Sequence, residues 1–372
     1  LCSPGYFTYD TNATGDAMYH LIAGGIDVVM GTDGYYHEDL GKDKNGKQME
    51  IGKKYDGKAE ISSFVPGIDF PISVKTCEFM DHDTENDKMV VAYMGRQTED
   101  AGNVKKAVDE ARNILAEGIH AKPEEIYFTG GGSESDNWVL KATAEAYESK
   151  GKHIITTKIE HHAILHTAEY LEKKGFEVTY LDVDENGLIG LEELKAAIRP
   201  DTILISVMAA NNEIGTIEPL AEIGAIAKEN GILFHTDAVQ AFGHIPIDVD
   251  AMNIDMLSAS GHKVNGPKGI GFLYIRKGLK LRSLIHGGAQ ERKRRAGTEN
   301  VPGIVGLGKA VELIYADHET KLEKLYGLKK HFMKALSSLE NVSVNGLNGL
   351  GIEATAPHVL SVTVEGIGSE VL

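Results

Sequence analysis

The chain has 372 residues, with 38 Lys+Arg against 55 Asp+Glu and a formal net charge of −17. A composition of 42% hydrophobic and 25% charged residues is ordinary for a globular chain and excludes a disordered, collagen-like or disulfide-scaffold protein. The acidic balance argues against a nucleic-acid backbone or an anionic membrane as partner. No apolar run approaches the roughly 18–20 residues of a membrane helix, and the start lacks the pattern of a secretory signal. The only two cysteines, Cys2 and Cys77, cannot build a disulfide framework, so a reducing, cytoplasmic setting is expected.

Charge is uneven along the chain. Residues 1–100 carry 9 Lys+Arg and 18 Asp+Glu, which marks them as an acidic segment distinct from the rest. Turn signals stand at Gly24–Gly25, Gly31–Gly34 and Asn45–Gly46. Ile26–Met30 and Met89–Tyr93 are apolar pieces of strand length, and Lys42–Lys58 is a polar run without an apolar period. His37-Glu38-Asp39 and Asp81-His82-Asp83 could hold a divalent cation but read first as solvated acidic loops, since such clusters are usually exposed.

From Val104 the pattern becomes regular. Val104–Leu115 has helical apolar spacing. Strands are then predicted at Glu125–Thr129, His153–Ile159, Phe176–Val183, Thr202–Ala210, Ile232–Ala238, Asp255–Ser260 and Gly271–Ile275. Helices are predicted from the glycine turn to Ser149 and over Ala163–Lys173, Leu191–Ile198 and Leu220–Glu229. Alternating strands and helices imply an α/β fold with a mainly parallel sheet covered on both faces. Val301–Leu313 and Thr320–Leu336 read as long amphipathic helices, and Val342–Val344 and His358–Val364 as strands of a smaller α/β unit. The expected organisation is therefore an acidic segment over 1–100, a large domain over 101–280, and connecting helices with an incomplete small domain over 281–372.

Ligands of open parallel sheets bind beyond the carboxyl ends of the strands. There the chain sets Gly130-Gly131-Gly132-Ser133, whose backbone N–H groups and following helix suit an anion, or simply make a tight turn. His161 follows the second strand and can stack on a flat ring or cap a helix; His162 and His166 have zinc-pair spacing without a third ligand, so no metal site is expected. Asn211-Asn212 form a turn, or hold a phenolic oxygen or a substrate carboxylate. Asp237 ends an apolar strand, where a carboxylate requires a positive or proton-bearing partner. Lys263 lies between Ser260-Gly261-His262 and a glycine-rich turn; a partly desolvated lysine there is a nucleophile suited to imine formation, against the commoner solvated surface lysine. Together these groups meet the requirements of pyridoxal 5′-phosphate (PLP): an anion cradle, a stacking ring, a carboxylate for the pyridine nitrogen and an amine.

With Phe128-Thr129-Gly130-Gly131-Gly132-Ser133-Glu134-Ser135-Asp136-Asn137, Asn211–Gly215, His235–Gln240, Ser260–Lys263 and Arg295-Ala296-Gly297-Thr298-Glu299-Asn300, the chain from about residue 100 onward resembles the cysteine desulfurases of the NifS and IscS type, class V of the PLP-dependent fold type I enzymes. The resemblance implies a seven-stranded, mainly parallel sheet between helices. It implies that Lys263 carries the cofactor and that His161 stacks on its ring and takes part in catalysis. Gly132, Ser133, Ser260 and His262 would hold the phosphate, Asp237 would face the pyridine nitrogen, and Asn212 and Gln240 would lie near the ring hydroxyl. Thr298 would reach the partner subunit's cofactor, so a homodimer is implied. The implied reaction takes sulfur from L-cysteine, leaving L-alanine and a persulfide for iron–sulfur cluster or thio-cofactor assembly through an acceptor or scaffold protein. Two departures are expected to matter. Tyr9–Thr14 only faintly echoes the family's start, and the family's persulfide-forming cysteine and substrate-binding arginine come later than Leu372. Another class V aminotransferase or lyase, and a truncated non-catalytic binding module, therefore stand as alternatives.

Overall fold

The computed structural model describes residues 104–368 in full and, before them, the backbone of two strands, β1 (Lys54–Glu60) and β2 (Pro71–Glu78). The chain divides into two compact units, Leu1–Asn103 and Val104–Leu372. In the first, β1 and β2 pair antiparallel from Lys54 opposite Glu78 to Glu60 opposite Pro71, with a register shift between Tyr55 and Gly57. A glycine at an irregular step is where a bulge costs least. The polar run over 42–58 thus ends in a strand that no apolar period announces; ladder pairing makes it. The pieces expected at 26–30 and 89–93, and the acidic clusters at 37–39 and 81–83, lie outside the described residues.

The second unit begins with a helix over 104–117, which buries Val108, Ala111 and Leu115 along one face. Seven strands follow: β3 (Ile126–Thr129), β4 (His153–Thr157), β5 (Glu177–Leu181), β6 (Thr202–Ser206), β7 (Leu233–Asp237), β8 (Met256–Ser260) and β9 (Gly271–Ile275). They form one sheet in the order β3-β9-β8-β7-β6-β4-β5. Neighbours from β8 through β5 run parallel, whereas β9 is antiparallel to both β3 and β8. The sheet is therefore mainly parallel and seven-stranded, as the alternation predicts.

Successive residues of a strand face opposite sides, and the core divides accordingly. Phe128, Ile155, Ile205, Phe234, Leu257 and Phe272 pack on one side. Tyr127, Ile154, Leu204, Met256 and Leu273 pack on the other, around Trp138. This explains the continuous apolar strands: both faces are covered.

The run predicted as strand Thr202–Ala210 leaves regular geometry at Ser206. Val207, Met208, Ala209 and Ala210 nonetheless stay buried, and the amides of Val207 and Ala209 donate to His235 O and Asp237 O. The apolar run continues because it passes beneath the strand ends. At the other end, the strand expected over His358–Val364 shortens to β11 (Val362–Val364), antiparallel to β10 (Val342–Val344). Val359 N turns back to Ala356 O, so the residues before Val362 do not join the ladder. Helices Val301–Tyr315 and His318–Leu336 precede this hairpin.

Candidate active site

The carboxyl ends of β3, β4, β6, β7 and β8 open into one cavity of about 520 Å³. Its wall includes Gly130, Gly131, Gly132, Ser133, Asp136, His161, Asn212, Asp237, Gln240, Ser260, His262 and Lys263. Of the sequence-expected residues, all but Thr298 line it. Thr298 is exposed and outside this wall.

One end of the cavity is built from backbone. Gly131 has φ 142°, in the region that disfavours side chains, and leads into helix Gly132–Tyr147. A Cβ on Gly132 would lie 2.5 Å from Val239 Cγ2, so a larger residue there forces Val239 to shift. The open N–H groups of this sixteen-residue helix carry partial positive charge toward the cavity. Ser260 Oγ lies 2.8 Å from His262 Nδ1, which orients the hydroxyl beside the glycines. Sequence reasoning did not single out Glu134, although it stands within the quoted motif. Glu134 accepts from Gly130 N at 2.8 Å and takes Arg295 in a two-pronged pair at 2.8 and 3.0 Å. The glycine loop is thereby tied to the Arg295–Asn300 segment.

The other end is built from buried acids. Asp237 is 5% exposed, and its Oδ1 accepts from Val239 N at 2.9 Å. Burial pushes its carboxyl above the ordinary range, while the Val239 amide and, after it, His161 pull it back. Below it, fully buried His235 places Nδ1 2.8 Å from Ser206 Oγ and Nε2 3.0 Å from Ser258 Oγ. Burial alone lowers this imidazole to about 3, so it is neutral. Glu160 Oε1 accepts from Thr157 Oγ1 at 3.0 Å and Met208 N at 2.9 Å. Its carboxyl is raised well above the usual range, first by burial and then by Asp237.

Three side chains stand over the cavity. His161 Nδ1 accepts from Ala163 N at 3.1 Å, which leaves Nε2 as the ring nitrogen that can donate. Lys263 is exposed on the cavity wall, less covered than the desolvated amine expected, because the turn after β8 projects it away from the core. His244 Nε2 lies 3.0 Å from the Lys263 carbonyl oxygen and pins that turn. Gln240 Oε1 accepts from His358 Nε2 at 3.2 Å, which directs the amide nitrogen elsewhere. His358 also stacks on His244 at 3.9 Å between ring centres, a contact between distant parts of the chain that no local motif signals. Asn211 does not line the cavity; its side chain bonds the amides of Glu213 and Ile214 and the carbonyl of Ile159, so it builds the turn that presents Asn212.

The donor set matches a flat, phosphorylated heterocycle with an aldehyde: an anion cradle where a Cβ would intrude, a carboxylate at the opposite end, and an amine between them. The Aminotransferase class-V family profile matches residues 84–372. The chain belongs to the class-V aminotransferase family. The family match starts before residue 100, where the motif resemblance begins. A cysteine desulfurase IscS of Methanosarcina thermophila is 57% identical over 269 residues, covering 70% of this chain and 67% of that protein. A cysteine desulfurase IscS of Clostridium botulinum is 54% identical, covering 72% and 67%. Among solved structures, a NifS-like protein aligns with a TM-score of 0.68 at 41% identity over 72% of each chain. SspA in complex with cysteine aligns with a TM-score of 0.62 at 43% identity, covering 71% of this chain and 73% of that one. This class-V chain is thus a PLP-dependent enzyme of fold type I, related to the cysteine desulfurases. Among its described residues no helix is long and apolar enough to cross a membrane.

Proposed function

We propose that this class-V enzyme takes sulfur from L-cysteine, and that the cavity at the strand ends is where it does so. The observation that carries the reading is the convergence of Lys263, His161 and Asp237 on one cavity whose far end is a glycine cradle. The cysteine desulfurase names of relatives at 54–57% identity and the cysteine complex of SspA support the substrate. The net reaction breaks the Cβ–S bond of cysteine, forms an S–S bond to an acceptor thiol and moves that thiol's proton to Cβ, giving alanine and a persulfide.

PLP, when bound, supplies an electron sink for the bonds broken around the substrate Cα. The protein's own groups do the rest. The amides and hydroxyl of Gly132 and Ser133, with Ser260 and His262, bind the phosphate. Asp237 keeps a proton on the pyridine nitrogen by Coulomb attraction. Asn212 and Gln240 orient the ring hydroxyl, and His358 holds the Gln240 amide so that its nitrogen can donate. Lys263 Nζ attaches the cofactor and moves the Cα proton, while His161 covers the ring and offers a proton at Nε2. Thr298, exposed on a segment anchored through Arg295 and Glu134, serves the cofactor of a second copy, so the working unit is a homodimer. The enzyme acts in the cytoplasm, passing sulfur to an acceptor or scaffold protein for iron–sulfur cluster assembly.

Both cysteines, Cys2 and Cys77, precede residue 104, so residues 104–368 contain no thiol to take the sulfur. The test is therefore made with and without an added thiol. Purified chain loaded with PLP is given L-cysteine and a small-molecule thiol, and alanine is quantified. Alanine formation that Lys263→Ala abolishes supports the reading. Alanine absent while an amino group passes to a keto acid would replace it with an aminotransferase.

A further inference from the structure

Asp136 belongs to the cavity but to none of the roles above. It lies in the second turn of helix Gly132–Tyr147, is 1% exposed, and forms part of the cavity wall. Its Oδ1 has no hydrogen-bond partner. Among the described residues no Lys or Arg pairs with it; the one basic group in reach is His235, with Nε2 3.8 Å from Oδ1. That nitrogen is already engaged by Ser258 Oγ, and Nδ1 by Ser206 Oγ. An imidazole buried this deeply stays neutral and gives Asp136 no counter-charge. The other groups facing it are Asp237 on β7, Glu160 after β4 and the Ser258 hydroxyl on β8. The two acids disfavour a charge on Asp136; the Ser258 hydroxyl favours one through its hydrogen bond, by less than burial and Asp237 disfavour it.

A buried carboxylate without a cation is one of the costliest arrangements in a protein and is relieved by taking up a proton. The helix N-terminus nearby favours the anion, but that effect is several-fold smaller than the burial penalty. When two carboxyls share a site, surroundings decide which keeps the proton. Asp237 has a backbone amide at Oδ1 and His161 nearby. Asp136 has an orphaned oxygen.

We propose that Asp136 is a positioning residue held as a neutral carboxylic acid, so that Asp237 alone carries the negative charge facing the pyridine nitrogen of PLP. The consequence is a single, localised anion at the ring end. Burial and the neighbouring Asp237 both move the Asp136 carboxyl in the direction this requires. The inference rests on the reading of Asp237 as the ring partner, but its test needs neither PLP nor cysteine.

The sign follows from linkage. A carboxyl whose folded pKa is raised binds a proton in the folded chain that the unfolded chain releases above its ordinary pKa near 4. Its contribution to stability is complete below that pH and is lost as pH rises toward the folded value. The experiment is equilibrium unfolding of the full, cofactor-free chain from pH 5 to 7, followed by fluorescence of Trp138, the sole tryptophan, two residues from Asp136 and fully buried. Relative to Asp136→Asn, the wild-type folding constant is expected to fall by up to tenfold per pH unit. Infrared difference spectra at pH 7 are expected to show a protonated-carboxyl stretch in wild type that the variant lacks. Should Asp136→Asn not fold, Asp136→Ser serves, since the slope and not the absolute stability is compared. Parallel slopes, or the loss of only a carboxylate band, would mean that Asp136 is ionised and would overturn the proposal.

Discussion

The two ends of the cavity are made of different materials. The phosphate end is mostly backbone: three glycines and a helix N-terminus, with the Ser133 and Ser260 hydroxyls and His262 beside them and one part-buried ion pair tying the loop. The ring end is side chain: Asp237, Asp136, Glu160 and His235, all buried and none facing a lysine or arginine among the described residues. The contrast teaches that the two ends should fail differently. The first depends on how closely a main chain can approach, and so on side-chain volume. The second depends on which groups hold protons, and so on pH and isosteric charge changes.

The largest effect is expected between the two ends. Lys263→Ala should lower turnover by about 10²–10⁴-fold or more, the usual worth of a positioned acid–base group, and abolish the visible absorption of the PLP-loaded protein. Retained absorption would move the attachment point elsewhere. At the ring end, Asp237→Asn should cost roughly 10²–10³-fold in turnover with near-normal folding, because it removes a preorganised charge and little volume. If Asp237→Asn behaved like wild type, the electrostatic description of that end would be broken.

At the phosphate end, Gly132→Ala should act through volume. The new Cβ would meet Val239 Cγ2 at 2.5 Å, an overpacking of about 1–3 kcal/mol that weakens PLP binding at every pH tested. A pH-dependent loss would blur the distinction between the ends. Glu134→Ala should cost about 1 kcal/mol, since the two-pronged pair with Arg295 is only about one-fifth exposed. Its signature is weaker PLP binding with little change in the pH profile.

The smallest effect on the cofactor site, none in PLP affinity, comes from a test of whether any buried acid behaves like those at the ring. Glu218 is 3% exposed, outside the cavity wall, and burial raises its carboxyl to about 8. Its folded form keeps a proton that the unfolded chain releases, so wild-type stability should decline from about pH 5 to pH 8 relative to Glu218→Gln. Denaturant midpoints measured for both proteins across that range check this, and PLP affinity should be the same in both.

Much of the fold was legible because both faces of the sheet are covered. Continuous apolar strands such as Thr202–Ser206 and glycine turns at their ends leave a strong imprint. Boundaries were not: the Val207–Ala210 run is apolar because it passes under the site, and the segment before β11 turns back at Val359 instead of joining the ladder. In the site, the strand-end motifs named the residues that line the cavity, since Asp237, Lys263 and the glycines each sit at a position with its own chemical requirement. The pairs between distant segments were hidden. Glu134 with Arg295, and Gln240 with His358, are separated by more than a hundred residues, and nothing local predicts their meeting.

The α/β alternation, the family and the identity of the groups at the strand ends are written in the chain, because they follow from local periodicity and from residue types suited to one chemistry. How those groups are charged is set by folding. Asp136 reads in sequence as one polar residue of a helix start. Burial against a neutral His235, beside Asp237 and away from any cation, is what turns it into an acid with a proton to keep, and burial is a property of the folded chain alone.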